Sequence, residues 1–404
     1  MENTMINQSG TRYFFPMKNV IQNYAWGSRQ SIRDMFDIPN PEQQPQAEVW
    51  MGAHPNGCSE IIENNEQQLL SDFIQLDRSG ILGVSTDIQF GELPFLFKIL
   101  AAEQALSVQV HPDKSQAEAG FSKEEAAGIP RTAAHRNYKD PNHKPELVYA
   151  LTPYQAMNGF REFDTIVALF KTVNVAPVQP LVDAFEKDAS EHGLRHFFQA
   201  LLSLQGEQKA TAVDELLSYA EQHRDNQLFS LILSLGHQYP GDIGVFCPLM
   251  LNVLTLNPGE AMFLDACTPH AYIQGTALEV MANSDNVLRS GLTSKHMDVK
   301  ELVKCTRFRP IACDTLLTQP ESDGQGKVYP VPVDDFQLTI YDSPEVLNVI
   351  TESAEILLAL DNTMTLSHVS GENIQIEKGH SVFIPAFTGQ YRLTSSGRIA
   401  RVTN

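Results

Sequence analysis

The sequence predicts a mainly β protein with an α-helical insertion. Three observations lead there. First, short apolar or alternating runs, such as ELPFLFKIL, VQVH and PELVYAL, fill residues 12 to 155 and are separated by Gly, Pro, Asn and Asp clusters. Second, from Phe163 to about Leu235 Gly and Pro become sparse, and apolar residues recur at helical spacing in DTIVALF, LRHFFQALLSL and VDELLSYAEQH. Third, strand texture returns at YPGDIGVFCPLMLNVLTLNPGEAMFLD and runs on to the C-terminus.

Taken in order, the first β region carries one exception, the charged and Ala-rich stretch from Asp113 to Glu125, which predicts a short helix. The middle region predicts four to six helices of roughly 11–12 residues each. Their aromatic and leucine stripes suit a core rather than a cofactor box. Gly241 to Phe246 reads as a turn back into the β region, and Asp298 to Cys305 as one short interruption of it. A faint repeat follows. Residues 257–266 read NPGEAMFLDA and residues 377–386 read EKGHSVFIPA. The frame, Gly then Phe four residues later, is what a cupin, a small double-sheet jelly roll, uses at a tight turn between two strands. The first copy leads to Pro269 and His270; the second leads to FTGQY, with no His in the matching place. One barrel that can hold a metal and one degenerate barrel without ligands are therefore expected. The expected division is a cupin/jelly-roll catalytic domain in two parts, residues 1–158 and 240–315, an inserted helical domain, 159–239, and a C-terminal degenerate cupin-like β domain, 316–404.

Charge narrows the function. The chain has 404 residues and a net charge of −20, from 29 basic and 49 acidic side chains. Nucleic acid and anionic membrane surfaces need a basic face and are poor partners; a small phosphorylated ligand needs only a few local Lys and Arg residues. No apolar run reaches the length of a membrane helix, and the N-terminus lacks a basic segment followed by an apolar one. The five cysteines, Cys58, Cys247, Cys267, Cys305 and Cys313, form no C-x-x-C pair. Reduced thiols in a cytoplasmic monomer are expected.

Four segments carry candidate chemistry. In LSVQVHPDK, Ser107, Gln109 and His111 share one face of a strand, and Val108 and Val110 the other. In HKPELVYAL, Lys144 and Glu146 share a face at the mouth of an apolar strand. In TPHAYIQG, His270 follows the cupin-like turn. Two imidazoles, a carboxylate and a carboxamide form an N and O donor set that zinc accepts, although other divalent metals accept it too. The fourth segment, ALEVMANSDNVLRSGLTSKHMDV, passes from a strand through the turn at Ser284, Asp285 and Asn286 to Arg289 and Lys295. Taken alone, each is an ordinary feature: a polar strand face, a surface ion pair, a structural His, a solvated loop.

These four segments in this order, with QNYAWGS near Trp26, AEVWMGAHP around Glu48 and His54, and LPFLFKIL at Lys98, resemble the type I mannose-6-phosphate isomerases. The similarity runs from about Asn23 to Val299, across the variable helical region, and fades in the last hundred residues. The resemblance implies one zinc ion per chain on Gln109, His111, Glu146 and His270, with Arg289 at the active site. It also implies that Ser107, Lys144 and Lys295 meet the phosphorylated hexose substrate and that Glu279 lies in the site. The implied reaction interconverts mannose 6-phosphate and fructose 6-phosphate through an enediol. Lys144, Glu279, Lys295 and a hydroxide at the metal stay open as the base. Arg289 is expected to stabilise charge. Two other readings are an iron-dependent cupin oxygenase, which would need oxygen, and a non-catalytic sugar-binding cupin, which would be free to lose its metal ligands.

Overall fold

The computed structural model describes residues 11–63 and 66–404. The first ten residues, where no signal segment is expected, lie outside the described residues.

The strand His270–Ala282 organises the first barrel. It is 13 residues long, and all but two of its residues are buried. Its first half pairs with Tyr154–Phe160 and Val108–Val110; its second half lies between Phe95–Ala102 and Glu146–Ala150. The register shifts between Tyr272 and Gln274, so a single strand turns a corner and serves both walls. The two strands flanking its second half are buried on both faces. That explains why FLFKILAA and ELVYA read as continuous rather than alternating apolar runs.

The repeat seen in the sequence is a repeat of structure. Its first copy turns into the strand Ala261–Leu264 and its second into Ser381–Ile384. The shared glycines, Gly259 and Gly379, have φ of 94° and 77°, a backbone region where side chains are strained. The second copy lies in a nine-stranded sheet, beside a separate four-stranded sheet. The strand Phe15–Lys18 joins that nine-stranded sheet, with Phe15 opposite Phe383, so the beginning of the described chain packs with its end. Within it Glu355 is fully buried, yet Arg401 and the Tyr391 hydroxyl both bond its carboxylate. Two charges in these apolar strands therefore satisfy one another.

Five helices lie between Phe163 and Gln238. Phe163–Val173 buries Ile166, Val167, Phe170 and Val173, one apolar stripe at helical period. Phe170 meets Phe197 edge to face, with centroids 4.9 Å apart, and Phe198 meets Phe160 of the barrel at 5.7 Å. The insertion and one barrel wall, including Val108, Val110 and Met157, share a core. Phe198→Ala should cost about 3–5 kcal/mol; urea denaturation should show a lower midpoint with an unchanged slope.

The helix expected near Asp113 is Lys114–Ala126, closed by a reciprocal capping box between Asp113 and Gln116. The interruption near Asp298 is the helix Val299–Cys305. Five helices were not expected: Ser31–Phe36, Leu70–Leu76, Arg78–Leu82, Val84–Gln89 and Cys247–Met250. Each has four to seven residues, too few to display a helical period, and Asp77 and Gly83 punctuate those between Leu70 and Gln89 like loops.

Candidate metal centre and its cleft

Strand register assembles the centre. Gln109 stands opposite His270 on one side and opposite Arg289 on the other. Glu146 stands opposite Leu264 and Met281. Residues 107 to 111 place Val108 and Val110 in the core, while Gln109 donates to the Ser107 hydroxyl at 3.1 Å.

His111, Glu146 and His270 are buried and offer ligand atoms that all lie within 4.8 Å of one another. Both imidazoles are fixed by backbone carbonyls. His111 Nδ1 donates to Asn286 O at 2.7 Å, and His270 Nδ1 donates to Thr268 O at 2.9 Å. The Nε2 atoms then carry lone pairs. They face the Glu146 carboxylate at 3.3 Å and 3.5 Å. These separations meet an ion-pair distance, but His111 Nε2 is buried and has no hydrogen-bond partner. Burial lowers the His111 pKa to about 4, which keeps the ring neutral. Burial works against ionisation of Glu146 as well. Charge interactions, with His111 while that ring is protonated and with Lys144, outweigh that and hold the carboxyl well below its usual range. The Tyr272 hydroxyl also donates to Glu146, at 2.9 Å, and the Lys144 ammonium lies 3.5 Å away. Two lone pairs and an anion converge with no proton to share between them. A dication is what such a set accepts, so the residues fit a metal.

The centre opens into a cleft of about 500 Å³, lined by Ser107, Gln109, Lys144, Glu146, His270 and Glu279 among others, and also by Lys139, Arg289 and Lys295. Every site residue expected from the sequence lines this cleft except His111, which sits behind it. Arg289 and Lys295 have no ion pair among the described residues. Burial lowers both pKa values, and for Lys295 the nearby Arg289 and Lys139 add to the effect. An uncompensated cationic wall in a protein of net charge −20 is suited to an anion.

The cleft also carries a group to which the sequence reading gave no role. Lys98 donates to Glu279 at 2.7 Å and lies 3.8 Å from Glu48, which accepts the indole N–H of Trp50 at 2.5 Å. Burial alone would lower the Lys98 pKa, but Glu279 and Glu48 raise it, so the ammonium stays charged. Burial raises the Glu279 carboxyl above its usual value. The signal was a lone lysine in an otherwise apolar strand, FLFKILAA. Asn286 left none: its carbonyl and side chain join His111 to Lys139 and Asp140, and turn sequences do this without display.

Models of the type I phosphomannose isomerase catalytic domain and helical insertion domain match residues 14–163 and 169–251, and a mannose-6-phosphate isomerase cupin domain matches residues 325–404. The chain is 48% identical to the mannose-6-phosphate isomerase of Escherichia coli K12 over 389 residues, 96% of this chain and 98% of that one. A mutant of phosphomannose isomerase from Salmonella typhimurium has the same fold, with a TM-score of 0.93, 46% identity, and coverage of 97% of this chain and 100% of that chain. A zinc-bound mannose 6-phosphate isomerase superimposes with a TM-score of 0.92 at 46% identity, again over 97% and 100% of the two chains.

Proposed function

Since the chain belongs to the type I phosphomannose isomerases, we propose that it is a zinc enzyme interconverting mannose 6-phosphate and fructose 6-phosphate. The observation that carries this is the convergence of two imidazole lone pairs and the ionised Glu146 beside a cationic wall with no counter-ions among the described residues. We assign His111, Glu146, His270 and Gln109 to one zinc ion. When bound, the ion supplies Lewis-acid polarisation of the oxygens on the first two carbons.

The side chains do the rest. Lys295 and Lys139 take the phosphate and thereby position the reacting carbons. Arg289, opposite Gln109 in register, stabilises the negative charge that develops as the C2 proton leaves and the enediol forms. Return of a proton to C1 completes the ketose. Lys144, beside Glu146, and Glu279, with its raised pKa, are the groups we assign to carry protons. Ser107 orients Gln109 and contacts the sugar. Lys98 holds Glu279 in place. We place the protein in the cytoplasm as a monomer, divided as the sequence suggests, with the helical domain inserted between the two parts of the catalytic barrel. All five cysteines are free, in keeping with a reducing compartment, and no described helix is long and apolar enough to cross a membrane.

The test is a coupled assay for fructose 6-phosphate formation, before and after chelation. Activity should vanish on chelation and return with zinc. A protein inactive with every divalent metal would instead favour the non-catalytic sugar-binding reading.

A further inference from the structure

Away from the cleft, the helix Glu191–Leu202 of the insertion buries Leu194, Phe197 and Leu201 against its neighbours and turns His192 and His196 to solvent. The two histidines are one helical turn apart. Asp188 lies just before the N-cap, Ser190. Its carboxylate accepts from His192 Nδ1 at 2.8 Å and, through its other oxygen, from the Ser190 hydroxyl at 2.6 Å. The bond from His192 is the first cause of a lowered Asp188 pKa, followed by that from Ser190.

This fixes the chemistry of the outer nitrogen. With Nδ1 donating to Asp188, His192 Nε2 carries a lone pair. It meets His196 Nε2 at 3.0 Å, with ring centroids 4.4 Å apart and planes at 72°. Two nitrogens at that separation, each about 2.0–2.1 Å from an ion, subtend roughly 95° at it. That angle is narrower than a tetrahedron and close to the square-planar or tetragonal preference of Cu(II) and Ni(II). The surrounding charge is favourable. Asp188 and Glu191 are acidic, and the nearby Arg195 is turned away, stacked 5.0 Å over Phe308 with its guanidinium on the Val303 carbonyl.

We propose that His192 and His196, with Asp188 behind His192, form a second metal site on the helical insertion. It takes a late first-row dication, Cu(II) or Ni(II), through the two Nε2 atoms, and water completes the coordination. The arrangement is a carboxylate–histidine–metal relay: Asp188 sets the tautomer and raises the basicity of one ligand. Binding requires the proton between the two rings to move to His196 Nδ1. The site is separate from the catalytic centre and is not needed for turnover.

The probe is Cu(II) titrated into full-length, zinc-loaded protein, followed by calorimetry and electron paramagnetic resonance. Wild type should take up one equivalent that shows coupling to two imidazole nitrogens. His192→Ala and His196→Ala should each lose that equivalent. Asp188→Asn should retain it with affinity reduced ~10–100-fold. All three side chains are on the surface, so isomerase activity without copper should be unchanged, which shows that the variants are folded. If wild type takes up no such equivalent, or His196→Ala keeps it with the same spectrum, the site does not exist and the pair is an ordinary surface hydrogen bond. If Asp188→Asn binds copper as tightly as wild type, the relay is refuted.

Discussion

Arg289→Ala should lower kcat by about 10²–10³-fold, the loss typical when one preorganised donor to a developing negative charge is removed. The expectation rests on placement. Arg289 stands opposite Gln109 in the strand ladder, Gln109 stands opposite His270, and no acidic side chain among the described residues neutralises the guanidinium. Burial raises the cost of its charge, so an anion placed beside it would be strongly favoured. Steady-state kinetics separate this role from a simple phosphate grip. Loss of an interaction made only in the transition state lowers kcat and kcat/KM together, whereas loss of uniform binding raises KM alone. Arg289→Lys should recover part of the rate only, because an ammonium cannot reproduce the planar fork. A variant with wild-type kcat and raised KM would move Arg289 to the phosphate.

Glu146→Gln should abolish zinc-dependent activity together with most of the stabilisation that zinc gives the folded protein. The sign follows from the donor set. In metal-free wild type, the His111 and His270 lone pairs face a carboxylate and one imidazole nitrogen is orphaned. An amide in place of the carboxylate can donate to that nitrogen but leaves the Lys144 ammonium without its anionic neighbour, so the metal-free variant gains one interaction and loses another. With zinc the difference is one-sided. The variant lacks the anionic ligand, and the stabilisation that metal binding gives the native state shrinks with its affinity. Thermal melts with and without chelator should therefore differ widely for wild type and hardly at all for the variant. Equal zinc-induced shifts in both would show that Glu146 is not a ligand.

Much of this site was legible because the sequence encodes it in strand alternation. Ser107, Gln109 and His111 could be assigned to one face from the valines between them, and the Gly and Phe spacing announced the turn before His270. What the alternation could not carry was anything assembled across the fold. Glu279 could be placed in the site by resemblance, but its partner Lys98 lies on a neighbouring strand, and only the register shows that the two stand opposite one another. Asn286 buttresses His111 through a carbonyl, and carbonyls are the same in every residue. The short helices around Leu70–Gln89 were hidden for a different reason: a segment of five to seven residues completes less than two turns, and its apolar residues cannot define a period.

The strand Phe15–Lys18 imposes an order of events on a growing chain. It finds Glu60–Glu63 early, but its other neighbour is Ser381–Ile384, and Tyr13 awaits Glu372, 359 residues further on. At ribosomal rates of roughly 5–20 residues per second, that wait is on the order of 20–70 s. Throughout it, Phe14, Phe15 and Met17 have lost no more than part of their contact with water, and one strand edge stays open to any extended chain that comes near. The first barrel and the helical insertion can assemble the core they share in that time, because its contacts are nearer in sequence. The nine-stranded sheet cannot. During synthesis the molecule is therefore most exposed to mispairing at the segment made first, and a chaperone that shields nascent apolar edges should be found there.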